Sequence, residues 1–169
     1  MNSGLIIRRA VTDDAAEVAV LVGELLAEIM RVIGIQVFNF DLKETATRLA
    51  DFLSQEKYYV FVARDASHKA VGFISLCESY ALYAEGAFGT IQELYVRPEF
   101  RSSKLGLSLV SQAKSFGTSR GWCRLEVTTP PLPEFDRTLA FYEREGFSVT
   151  GGRKLKVSLL DSPIKNCRN

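Results

Sequence analysis

Between Arg101 and Gly106 the chain places an arginine, two serines, a lysine and a glycine in the run RSSKLG. These are the residue types that hold an anion. Guanidinium and ammonium groups supply charge, hydroxyls donate hydrogen bonds, and a residue without Cβ lets the backbone approach a ligand. An apolar strand-like run, IQELYV, comes before this group, and a helix-like run, LGLSLVSQAKSF, follows it. The polar loop therefore links the C-terminal end of a strand to the N-terminal end of a helix. There, unpaired N–H groups face outward and the helix dipole adds roughly half a positive charge. The chemistry fits a pyrophosphate. The spacing is neither GxxxxGK[ST] nor GxGxxG, which argues against a nucleotide-hydrolysing P-loop and a Rossmann dinucleotide site. On residue chemistry alone, an anion cradle and an ordinary charged βα turn both stay open.

The elements that must position this loop can be read from periodicity. LIIRR reads as a first strand, and Thr12, Asp13 and Asp14 supply capping oxygens for a helix over about 15–30. In that helix Val18, Leu21, Val22, Leu25, Leu26 and Ile29 recur at three and four, giving one buried face. Asp41 can cap a second helix, LKETATRLADFL. YYVFVAR and AVGFISLCES form a hairpin about the turn DASHK. IQELYV is the next strand, followed by the loop and a helix to about Arg120, with Gly121 as its left-handed terminator. WCRLEVTT reads as a strand, TLAFYERE as a short helix closed by Gly146, and RKLKVSLL as a last strand. A meander that turns into a βαβ unit implies a mixed α/β fold with helices on the sheet's faces.

Composition bounds the function. The chain has 169 residues, 47% apolar and 24% charged, as expected of one soluble domain over 1–169 with its core at about 5–161 and a short tail at 162–169. A net charge of +1 offers no overall basic footprint for nucleic acid. Cys77, Cys123 and Cys167 are widely spaced and odd in number, which favours reduced thiols in a cytoplasmic setting over disulfides or a zinc site. The most apolar helical stretch, AVLVGELLAEIM, carries Glu24 and Glu28 and is too short to span a bilayer. The reading therefore includes no metal, no nucleic acid and no membrane partner, and it admits a homodimer.

Two segments carry a family resemblance. ELYVRPEFRSSKLGLSLV, residues 93–110, resembles the acetyl-CoA-binding motif of the GCN5-related N-acetyltransferase (GNAT) superfamily. That motif is a strand, a proline-containing turn, Arg or Gln, two variable residues, Gly, any residue, and Gly or Ala. Here Arg101 takes the first place and Gly106 the last. FYEREGF, residues 141–147, resembles a second motif of the family, a short helix ending in FY-x-x-x-GF. The order of elements matches over nearly the whole chain. Two positions depart: Lys104 stands where the family usually has its first glycine, and Phe135 where it often has an asparagine.

The resemblance implies the GNAT fold, with a mixed, mostly antiparallel sheet splayed between the ELYV and RLEV strands. It also implies a function, transfer of an acetyl group from acetyl-CoA to a primary amine by direct attack. The cofactor would lie along Leu94, Tyr95 and Val96, its pyrophosphate against Arg101, Ser102, Ser103, Lys104, Leu105 and Gly106. Tyr142 matches the tyrosine that protonates the departing thiolate and would also border the cofactor. Glu93, opposite Leu94 in strand alternation, is the best available base. Tyr142 as a core aromatic and Glu93 as a cross-strand partner are the bland rivals of these roles. The acceptor would be a small molecule or peptide, cationic if Glu24, Glu28, Glu78 and Glu85 converge. Tyr80, Tyr83 and Phe88 either line its pocket or pack as a loop; His68 reads as exposed, and Cys123 as buried filler. The alternative function is a CoA-binding or partner-binding regulatory module on the same fold with weak or no catalysis.

Overall fold

A computed structural model describes residues 4–160. The chain divides into two compact units. One is built from Asp41–Thr128 with the N-terminal stretch up to Leu25, the other from Leu26–Phe40 with the stretch from Thr129. The larger unit holds a five-stranded sheet in the order β1-β2-β3-β4-β5. Its strands are β1 (Ile6–Arg9), β2 (Tyr59–Arg64), β3 (Ala70–Ala81), β4 (Gly86–Val96) and β5 (Leu125–Val127). The first four pair antiparallel in sequence, and β4 pairs with β5 in parallel across the helix α3 (Leu105–Ser119). Helix α1 covers Ala15–Ile33 and α2 covers Leu42–Ser54.

Alternation along the strands gives the sheet two apolar faces. Val60, Val62, Phe73 and Tyr95 point to one face, where Val18 and Leu21 of α1 and Leu49 of α2 complete a core, with Val22, Leu25 and Leu53 against it. On the opposite face Tyr59 and Phe61 meet Phe116 of α3, at ring separations of 4.9 and 5.5 Å. The start of α2 and the end of α3 fall where capping chemistry predicts. The Asp41 carboxylate accepts the Glu44 N–H at 2.8 Å, and Gly121 takes φ +76° after α3. In the β2–β3 turn, the Asp65 carboxylate accepts the N–H groups of Ser67 and Lys69 at 2.9 and 3.0 Å. In the smaller unit, α4 (Asp136–Arg144) ends at Gly146, whose φ is +94°.

Several expectations need correction. RKLKVSLL forms no strand; Leu155, Val157 and Leu159 are exposed, since an alternating pattern makes a strand only where an edge accepts its backbone. The strand expected over WCRLEVTT is confined to Leu125–Val127. Residues 80–88 continue the β3–β4 hairpin and do not form a self-packed loop. Thr12–Asp14 is a 3₁₀ turn in which Asp14, and not Thr12, accepts a backbone N–H, that of Val11 at 2.8 Å. Cys123 lies outside β5 and is exposed, its thiol directed at the carbonyl of Ala84. The tail expected at 162–169, with Cys167, lies outside the described residues.

Candidate functional site

The site is best built from β4, whose two halves have different neighbours. Pairing with β5 joins only Gly89–Ile91 to Leu125–Val127. Gly89 allows this approach, because a Cβ there would stand 2.3 Å from the Trp122 ring. The Cys123 N–H to Ala87 carbonyl bond, 3.1 Å, and the Gly89 N–H to Arg124 carbonyl bond, 3.0 Å, lock the start of the contact. From Gln92 to Val96 no strand pairs with β4 on the β5 side among the described residues. Ser75 lies opposite Glu93 while Leu76 lies opposite Ile91, so Gln92 is the extra residue of a β-bulge where the two halves meet. The Arg97 N–H bonds to the Val71 carbonyl at 2.9 Å. In an antiparallel ladder this directs the polar groups of Arg97, Tyr95 and Glu93 toward β3, and those of Val96 and Leu94 toward the open side.

The chain leaves β4 through a 3₁₀ turn, Pro98–Ser103, and enters α3 at Leu105. A bidentate pair from Arg97 to Glu24 of α1, at 3.0 and 2.9 Å, fixes this exit. Lys104 sits between turn and helix in the left-handed region, φ 59° and ψ 19°. Its position therefore carries the backbone strain that a glycine would avoid. The Lys104 carbonyl accepts the Ser108 N–H at 3.1 Å, so the N–H groups of Leu105, Gly106 and Leu107 have no intrahelical acceptor. Ser102 and Lys104 are exposed, whereas Leu105 is buried beneath the helix start. Arg101 folds back: its Nε donates to the Val96 carbonyl at 2.8 Å and its guanidinium lies over the buried Tyr95 ring at 5.6 Å. The Ser103 hydroxyl turns inward to the Phe100 carbonyl.

Glu93 lies on the α1/α2 face, in the same parity as Tyr95 and Phe73. The hydroxyl of Ser75, which is buried, donates to one carboxylate oxygen, and the Tyr58 hydroxyl donates to the other at 3.3 Å. Burial pushes the Glu93 pKa above the ordinary carboxylate value, and these two hydrogen bonds draw it back only in part. Burial and the neighbouring carboxylate push the Tyr58 phenol upward as well. Tyr58 and Ser75 were not singled out from sequence. A serine inside the apolar run AVGFISLC was the available signal, but the five-residue turn DASHK leaves the β2–β3 register open.

In the smaller unit, Tyr142 is buried, its ring 5.3 Å from both Phe141 and Phe147. Burial raises its pKa above that of a free phenol, so it holds its proton throughout the neutral range. The acidic residues expected to draw a cation do not gather in the larger unit. Glu24 is held by Arg97 just past the end of β4, while Glu78 lies across from Gly89, about 25 Å away along the strand. Glu78 accepts from Trp122 Nε1, the Tyr80 hydroxyl and Arg120 Nε, which lower its pKa to about 2. Glu28 pairs with Arg31 at 4.0 Å. Tyr80 and Tyr83 point to solvent while Phe88 is buried, and His68 is exposed in the β2–β3 turn. Among the described residues there is no cluster of three or more metal-ligating side chains, and no helix long and apolar enough to cross a membrane.

Comparison with solved structures places the fold. An aminoglycoside acetyltransferase from an uncultured soil metagenomic sample superposes with a TM-score of 0.72 at 22% identity, over 95% of this chain and 99% of that one. An acetyltransferase of Trypanosoma brucei gives 0.68 at 21% identity, covering 92% and 99%. A ribosomal-protein-alanine N-acetyltransferase of Brucella melitensis gives 0.68 at 18%, covering 90% and 99%. Comparison with curated proteins returned no match. The family model for the acetyltransferase (GNAT) domain matches residues 56–149, from the lead-in of β2 to just past α4. The chain belongs to the GNAT acetyltransferase family.

Proposed function

We propose that this chain, as a single acetyltransferase domain, transfers an acetyl group from acetyl-CoA to a primary amine of a small molecule or peptide. The observation that carries the reading is the half-open strand β4. The Leu94 N–H and carbonyl and the Val96 N–H face a side with no partner strand among the described residues, the Val96 carbonyl being held by Arg101, and they lead within ten residues to the first amides of α3. An extended pantetheine can add to such an edge as a strand would, and its carbonyl can be polarised by the same N–H groups. The pyrophosphate would sit at the amides of Leu105 and Gly106, within reach of Ser102 and Lys104. Arg101 and Tyr95 would shape the exit of β4, and Ser103 would brace the turn, its hydroxyl being engaged internally.

The chemistry follows from the side chains. An alkyl ammonium with pKa ~10.4 must lose a proton before it attacks. Glu93 takes one of its three protons. The amine then attacks the thioester carbon, the C–S bond breaks, and one proton stays on the amide nitrogen. Tyr142 protonates the leaving thiolate and recovers its proton, through solvent, from the third. The neighbouring folds named above act on aminoglycosides and on a ribosomal protein by their names, but identities of 22% and less carry no acceptor over to this chain. With Glu24 and Glu78 held by arginines, what still favours a cationic acceptor is the ammonium form of an amine at neutral pH. Cys77 and Cys123 are free thiols, which accords with a cytoplasmic setting.

A second reading has its own observation. Arg101 occupies the Val96 carbonyl, and Lys104 strains the loop where a glycine would relax it, which suits a CoA-binding module with weak chemistry. Calorimetry with acetyl-CoA, together with thiol release over a panel of aminoglycosides, polyamines, amino acids and peptides, decides. Micromolar binding with turnover on one amine class is expected. Binding without turnover on any amine establishes the second reading, and no binding contradicts both.

A further inference from the structure

Among the described residues no cation pairs with Glu93. Its carboxylate is held from two strands by two hydroxyls: Ser75 on β3 and Tyr58, one residue before β2. Ser75 makes a double contact, because its oxygen also accepts the Glu93 backbone N–H at 3.0 Å. This clamp fixes main chain and side chain together, next to the bulge at Gln92. Tyr58 is itself anchored, its ring 5.3 Å from Phe52 of α2 and packed against the core of that face. A buried serine in an otherwise apolar strand costs stability unless its hydrogen bonds are made, and here both go to Glu93. The other partly buried carboxylates near β4 are held by cations, Glu78 by Arg120 and Glu24 by Arg97.

We propose that Tyr58 and Ser75 are positioning residues that hold the Glu93 carboxylate in one orientation to take the proton of the acceptor amine. The inference rests on the reading of Glu93 as the base. Both hydroxyls donate to the ionised form, so each lowers the proton affinity of a group that burial raises. The other titratable groups around it are few. Cys77 on β3 faces it with a thiol that burial holds protonated, while α1 and α2 bring Val22, Leu25 and Leu53 to the core of that face.

The sign is then determined. Without a donor, Glu93 stays protonated to higher pH, and the acidic limb of kcat/KM for the amine, which at saturating acetyl-CoA reports the enzyme–acetyl-CoA complex, moves upward. The experiment measures kcat/KM against pH at saturating acetyl-CoA for the wild type, Tyr58→Phe, Ser75→Ala and Glu93→Gln. Glu93→Gln is expected to remove the limb set by Glu93, leaving only the rise that follows loss of the ammonium proton at pKa ~10.4. Tyr58→Phe, which keeps the ring and its packing, is expected to shift that limb up by about half a pH unit or more, and Ser75→Ala by more. If Ser75→Ala does not fold, Tyr58→Phe decides alone. A limb abolished by Glu93→Gln but unmoved in Tyr58→Phe overturns the positioning role while leaving Glu93 as base. A wild-type limb left in place, at the same pH, by Glu93→Gln overturns the base and the inference with it.

Discussion

Glu78 and Glu93 lie on neighbouring strands of one sheet and are pushed in opposite directions. Glu78, at the closed end of β4, is gripped by an indole, a phenol and a guanidinium and is ionised down to about pH 2. Glu93, where β4 opens, is held by the hydroxyls of Ser75 and Tyr58, and burial raises its proton affinity. Two carboxylates whose surroundings drive their pKa values apart are doing different work. The first belongs to the packing that clamps β5 onto β4, together with Trp122 and Gly89. The second belongs to a stretch that pairs with β3 but has no β5 partner among the described residues, and there we propose that it takes a proton. β4 is thus closed tightly against β5 over Gly89–Ile91, while its other half has no partner on that side among the described residues.

Mutations can break this contrast, most severely at the closed half. Gly89→Ala drives a Cβ into the Trp122 ring and is expected to cost about 3 kcal/mol of stability, measured by urea denaturation. Tyr142→Phe keeps the ring among Phe141 and Phe147 and removes only the hydroxyl. Turnover is expected to fall by roughly a hundredfold with acetyl-CoA affinity unchanged, as steady-state kinetics and calorimetry can show. Gly106→Val is expected to weaken acetyl-CoA binding at least tenfold, about 1.4 kcal/mol, by calorimetry on the folded variant.

The remaining effects are smaller and sharpen the contrast. Lys104→Gly relieves a left-handed residue and is expected to raise stability by about 1 kcal/mol, whereas Lys104→Ala is not. If the ammonium reaches phosphate, both variants bind acetyl-CoA more weakly, with less sensitivity to salt. Glu78 supplies the pH signature. Its folded pKa lies below the unfolded value of 4.5, so its contribution is present above pH 4.5 and is lost as pH falls toward 2. Thermal melts at pH 5 and pH 3 should therefore differ less in Glu78→Gln than in the wild type.

Much of this arrangement is legible in the sequence, and the illegible part has physical causes. β4, its loop and α3 declare themselves because a period of two changes to a period of 3.6 across a charged, proline-containing turn. Asp41, Gly121 and Gly146 mark helix ends through chemistry that acts within a few residues. What depends on partners far along the chain is hidden. RKLKVSLL has the alternation of a strand, yet a strand also needs an edge. That the Arg101 guanidinium lies over Tyr95 and its Nε bonds the Val96 carbonyl could not be read from the loop sequence. Glu24 and Glu78 read as a free acidic set until Arg97 and Arg120 arrive from 73 and 42 residues away. The clamp on Glu93 depends on strand register, which a turn as long as DASHK does not specify.

We propose that the open half of β4 and the start of α3 receive acetyl-CoA, which residue-resolved amide hydrogen exchange with and without the cosubstrate can decide. The amides of Leu94, Val96, Leu105 and Gly106 are expected to exchange readily in the free protein and to be protected by acetyl-CoA. Those of Gly89 and Arg97, already bonded within the protein, are expected to change little. Protection by acetyl-CoA elsewhere, with Leu94, Val96, Leu105 and Gly106 unaffected, would contradict the account.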